Sequence, residues 1–190
     1  MDVFEGRISS CGFESGDRVV IGDWKSSPLG AFTNIMWARP DGARLLLSPS
    51  QKHADYVSGL YNFEDVKIVP ISISRSKNGI KISSDELEID LQWGRAFPFP
   101  LPRPRWFLAT VENFFARLFF GTRTFGRTRK GQREWYCVRG ISWIKNAKAT
   151  YKGKSLNGMR PFQATACFGF SEPPKRPASI IVCSMIEQSS

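Results

Sequence analysis

Apolar and polar residues alternate along much of this chain, most clearly in "ELEIDLQW". Leu87, Ile89, Leu91 and Trp93 take turns with Glu86, Glu88, Asp90 and Gln92, which predicts a strand with one dry and one wet face. "FTNIMWARPDGARLLLS" predicts a hairpin turning at Asp41-Gly42, with Trp37 opposite Leu46 if those two residues form the loop. "VKIVPISISRSKNGIKIS" repeats the device at Asn78-Gly79, and Pro70, which has no amide to donate, is expected at an edge or bulge. "DRVVIGDW", "FQATACFGF" and "SIIVCSMI" add strands, and "EWYCVRGISWIKNAKATY" is long enough for one bent strand or two. Many short antiparallel strands with tight turns predict a mainly β protein, a barrel or sandwich of about 8–10 strands.

Two helices interrupt this pattern. "PSQKHADYVSGL", residues 49–60, follows Ser48 and contains Ser50, either of which suits an N-cap. The second, about 104–120, begins near Pro104 and stops before Gly121, a residue suited to the left-handed turn after a helix. Its apolar positions cover nearly the whole circumference, which predicts burial on or across the barrel, contact with another apolar body, or a homodimer seam. No repeat or linker divides the 190 residues, so a single domain is expected.

Charge changes the picture more than composition does. The formal net charge is +10; residues 1–94 carry −3 and residues 95–190 carry +13. Between Arg95 and Tyr136 stand eight arginines and Lys130 against Glu112 and Glu134. Such a block suits an anionic partner, or pairing with the acidic first half, notably Glu86, Glu88 and Asp90.

Candidate chemistry is sparse. The four cysteines are widely spaced and His53 is the sole histidine, so neither a metal nor another cofactor is expected. Buried thiols are the expectation, with Cys137 the one nearest a basic neighbour. His53 is expected to be solvated on its helix. Asp23, between Gly22 and Trp24, and Glu134, beside Trp135, are the carboxylates whose pKa would rise if buried. "WYCVRGISWI" sets Trp135, Cys137, Arg139, Ile141 and Trp143 on one face if the strand is regular, and an inward Arg139 would need an anionic partner.

The leading expectation is non-enzymatic binding of a small anionic amphiphilic or aromatic ligand inside the barrel. Trp37, Trp135 and Trp143 would form its walls, and Arg103, Arg105 and Arg139 its counter-charges. A second reading is single-stranded nucleic-acid binding through the 121–136 loop, with Arg123, Phe125, Arg127, Arg129, Lys130 and Arg133. A third is a carboxylate-based enzyme, for which no catalytic motif is present. The N-terminus resembles no signal peptide, no apolar run reaches the length of a transmembrane helix, and a cytoplasmic location is expected.

Overall fold

The computed structural model describes residues 1–99, 103–162 and 167–188. Eight strands come first: β1 (Asp2–Phe13), β2 (Arg18–Ser26), β3 (Phe32–Ala38), β4 (Arg44–Ser48), β5 (Asp65–Ile68), β6 (Ser72–Ser76), β7 (Gly79–Ser84) and β8 (Leu87–Trp93). Short β9 (Phe97–Pro98) and β10 (Phe125–Arg127) lead to the long β11 (Arg133–Tyr151). Two further short strands, β12 (Lys154–Ser155) and β13 (Met159–Arg160), precede β14 (Ala178–Ile186).

All fourteen belong to one sheet, ten of them in the order β5-β4-β3-β2-β1-β14-β11-β8-β7-β6, with β9, β10 and β12 paired on β11 and β13 on β1. Every neighbouring pair along it is antiparallel except β4 with β5. The sheet curls so that its two ends share one core. Ile35, Leu45 and Leu47 from one end pack with Ile80, Ile82 and Leu91 from the other. Val69 and Ile71, on either side of Pro70, cross between edge strands β5 and β6 and pack on the same core. Among the described residues β5 and β6 do not pair, so the fold is a curled half-barrel rather than a closed barrel.

The inner face of the half-barrel is filled by side chains. Along β2, Val19 and Ile21 enter that core, whereas Val20, Gly22 and Trp24 face the other way. Period-two alternation thus gives the sheet a second, outer face, covered by helix α1 (Gln51–Leu60) through Val57 and Leu60.

Several local expectations need correction. The first hairpin turns on Pro40-Asp41-Gly42, with Gly42 at φ 88° and Arg39 donating to the Ala43 carbonyl, so Trp37 faces Leu45. A three-residue loop ending in left-handed glycine competes with the two-residue loop for the same sequence. The second hairpin turns on Lys77-Asn78, because Ser76 pairs with Gly79. "VKIVPISIS" is two strands with Pro70 between them. Residues 163–166 of "FQATACFGF" lie outside the described residues, and Cys167–Phe170 form no strand. Central strand β1 has no strong sequence signature: Gly6, Ser9, Ser10 and Gly12 dilute its apolar alternation.

The largest correction concerns the apolar helix. It runs without interruption from α2 (Arg105–Phe107) through a π-helical turn (Leu108–Glu112) into α3 (Asn113–Phe120), and ends on left-handed Gly121. Instead of plugging the barrel, it buries only Leu108 fully. Trp106, Phe114, Leu118 and Phe119 are between 63% and 68% exposed. No helix is long and apolar enough to cross a membrane among the described residues.

Candidate functional site

The outer face holds a largely apolar cavity of ≈ 120 Å³. Its floor comes from alternate residues of β1, β2, β3, β14 and β11; its cover comes from α1 and the segments 122–124 and 168–174. On β14 the lining residues are Ile180, Val182, Ser184 and Ile186, and on β11 Glu134, Tyr136 and Val138. The floor is tight at Gly22: a Cβ there would lie 2.7 Å from Asn34 Oδ1 and 2.8 Å from Trp24 Nε1, so those side chains would have to shift.

Glu134 is an acidic residue of this lining, with 0% of its surface exposed. Register places Tyr136 opposite Ser184 and Glu134 opposite Ile186, so Ser184 sits diagonally across from the carboxylate on the same face. Ser184 Oγ donates to Glu134 Oε1 at 2.8 Å, and the Tyr61 hydroxyl, from the residue that ends α1, donates to the same oxygen at 3.0 Å. The Tyr61 and Tyr136 hydroxyls lie 2.7 Å apart. Because Tyr61 gives its proton to Glu134, Tyr136 must donate to Tyr61.

Glu134 Oε2 has no hydrogen-bond partner among the described residues. Burial pushes the carboxyl up to about 7, against the hydrogen bonds from Ser184 and Tyr61, which favour its charged form. Burial and the neighbouring Glu134 keep both phenols protonated. When the carboxyl is neutral, Oε1 can accept both bonds as a carbonyl oxygen while Oε2 carries the proton.

Two glycines let aromatic rings fix the tyrosines. A Cβ on Gly126 would lie 2.1 Å from the ring of Phe170, and that ring stacks on Tyr136 with centroids 5.7 Å apart. A Cβ on Gly169 would lie 2.7 Å from Tyr61. The covering segment is held by a buried ion pair between Arg18 and Glu172, with Arg18 lying 3.6 Å over the Phe162 ring. Glu172 Oε1 also accepts the Phe168 amide at 2.7 Å. Exposed Arg123 stands at the rim of the cavity.

The residues expected to form a ligand site are scattered. Trp37 lies in the half-barrel core and donates Nε1 to Asp17 at 2.8 Å. Trp135 is buried beneath Phe125 and Arg105, and Trp143 lies under Arg176. Arg103 pairs with Glu112 at 3.1 Å and bonds the Val138 carbonyl; Arg105 reaches the Met1 sulfur. Among the described residues, neither these five nor Arg139 lines the outer cavity, and the half-barrel interior is packed rather than open.

Arg139 faces solvent and pairs with Glu5 at 2.9 Å. Val138 faces Val182 while Gly140 faces Ile181, so Arg139 is the extra residue of a β-bulge that reverses the alternation. The supposed Trp135–Trp143 face is therefore two faces.

The basic 121–136 segment is ordered around β10 and β11. Phe125 packs on Trp135 with centroids 5.3 Å apart, and Tyr136 enters the cavity, so the expected stacking platforms are engaged within the protein. Arg127 and Arg129 bond the carbonyls of Gly131 and Ser58, and Arg133 pairs with Glu187 at 2.6 Å. Lys130 covers Gly59. None of the arginines from Arg103 to Arg133 pairs with Glu86, Glu88 or Asp90 among the described residues.

Of the two candidate acids, Asp23 is held in its charged form. Burial would raise its carboxyl, but hydrogen bonds from Arg75 and Thr33 outweigh that and hold it below the usual range. His53 is stacked on Phe32 at 4.3 Å with Ser50 at its Nδ1, not freely solvated. Sequence singled out Glu134 but not its partners Tyr61 and Ser184, whose proximity depends on long-range pairing.

No protein-family model matches the chain, and no curated protein matches its sequence. Among solved structures, the chain is similar to the acetoacetate decarboxylase of Legionella pneumophila at 10% identity, over 96% of this chain and 81% of that one, with a TM-score of 0.42. At that level neither activity nor site residues pass from one chain to the other.

Proposed function

We propose that this protein binds a small aromatic or short-chain aliphatic molecule in the outer-face cavity, with one polar group of the guest meeting Glu134. The carrying observation is the unpartnered Oε2 of a fully buried Glu134 lining a largely apolar space of ≈ 120 Å³. An apolar cavity of roughly 150 Å³ accepts benzene, so one ring, or a chain of similar bulk, is the appropriate size. A guest hydroxyl or carbonyl would accept the Glu134 proton, and Arg123 at the rim favours an acidic substituent directed outward.

Thermal-shift titration with phenol, benzoate and hexanoate tests this reading. A saturable rise in Tm is expected for at least one, lost in Val138→Phe, which fills the cavity. If all three leave Tm unchanged, the binding reading fails.

A second reading, proton-transfer catalysis, is favoured by Glu134 alone. A carboxyl titrating near 7 can both give and take a proton at neutral pH. Conversion of a bound guest that Glu134→Gln abolishes while binding persists would favour the enzyme; binding without conversion favours a carrier or sensor.

A further inference from the structure

The helical segment from Arg105 to Phe120 is inside-out. Its inward side holds the Arg103–Glu112 ion pair at 3.1 Å, both side chains 15% exposed, and Asn113, whose Oδ1 accepts the Thr124 amide at 3.0 Å. Its outward side carries Trp106, Val111, Phe114, Phe115, Leu118 and Phe119, all exposed. Water-facing helices normally show the reverse order, and contiguous apolar surface of this kind marks a contact site. Exposed Met1 extends the patch beside Arg105, whose guanidinium reaches the Met1 sulfur.

We infer that this face docks the protein on an anionic lipid bilayer, with the helix lying in the interface. Charge selects this occupant. Exposed Arg105 and Arg117 flank the aromatic face and exposed Arg123 follows it, while the helix's one acidic residue, Glu112, is turned inward and neutralised by Arg103. Around a second copy of the same face, these arginine rims would meet each other and repel; phosphate headgroups complement them. Trp and Phe with flanking Arg are the residues that settle at the boundary between headgroups and acyl chains. Sixteen residues of helix are roughly 24 Å long, short of the roughly 30 Å hydrocarbon core, so the segment lies on the bilayer rather than spanning it.

The docked helix is tied to the cavity rim. Thr124, a lining residue, donates its hydroxyl to the Leu108 carbonyl at 2.7 Å within the π-helical turn. The chain leaving the helix at Gly121 becomes the rim at Thr122–Thr124. Membrane docking would therefore bring the cavity rim close to the lipid surface, although docking itself does not depend on what the cavity binds.

Flotation with vesicles of phosphatidylcholine alone and of phosphatidylcholine with phosphatidylglycerol tests the inference. Binding to the mixed vesicles should be roughly a hundredfold tighter, from three arginines at about fivefold each, and should weaken with salt. The triple variant Phe114→Ser, Leu118→Ser, Phe119→Ser should abolish it with Tm unchanged, because these side chains are solvent-exposed. Brominated lipid should quench the wild type but not Trp106→Phe. Glu134→Gln should float like the wild type, which separates docking from the cavity reading. Failure to float with either vesicle would overturn the inference, as would a stable dimer in sedimentation that the triple variant dissolves.

Discussion

The Tyr61 hydroxyl donates to Glu134 Oε1 at 3.0 Å, joining the end of α1 to the start of β11 across 73 residues of sequence. That bond, with the one from Ser184, engages one carboxyl oxygen and leaves the other without a hydrogen-bond partner among the described residues.

Stability should depend on pH through Glu134. Its folded-state pKa is about 7 against 4.5 for the free side chain, so between those values the folded protein holds more protons than the unfolded chain. Its contribution is then greatest below pH ~4.5 and is lost as pH rises through ~7. Glu134→Gln should remove this dependence, leaving the variant more stable than wild type at pH 8 by at most about 3 kcal/mol. Other carboxylates titrate in both proteins, so the difference between their denaturant curves isolates Glu134.

Removing a donor should move the same titration. The bonds from Tyr61 and Ser184 favour the charged carboxylate, so Tyr61→Phe should raise the Glu134 midpoint further and cost about 1 kcal/mol in stability. Tyr136→Phe should have a smaller effect in the same direction. Carboxyl NMR of the two variants would check the order.

Arg18→Met should loosen the cover of the cavity. It strands Glu172 beneath the surface without its counter-ion, at a cost of about 3 kcal/mol. Amide exchange at Phe168, whose N–H bonds Glu172, should accelerate more than exchange in β2, where Arg18 itself sits.

Thiol labelling should divide the cysteines by position. Burial pushes Cys11 up to about 12, so it should not react with iodoacetamide until the protein unfolds. Exposed Cys167 should react first.

Much of the fold was legible because its signals are local. The alternation of Leu87, Ile89, Leu91 and Trp93 survives as the buried face of β8, and Pro104 and Gly121 bound the apolar helix. What was not legible depended on tertiary context. The bulge at Arg139 reverses the faces of β11 without any local sequence mark. For the apolar helix, burial, contact with another apolar body and a homodimer seam were all open; its polar side faces the protein and its aromatic side faces out, an arrangement that hydrophobicity alone cannot distinguish from burial. Glu134 could be suspected from its apolar neighbours, but Tyr61 and Ser184 reach it only through folding of α1 and β14.

The most direct test of the cavity account is the titration of the Glu134 side-chain carboxyl, followed by ¹³C NMR and assigned by its loss in Glu134→Gln. The account predicts a midpoint near 7, with the signal protonated at pH 5 in the folded protein. A midpoint near that of an ordinary glutamate would contradict it, because the buried neutral acid facing the cavity would not then exist.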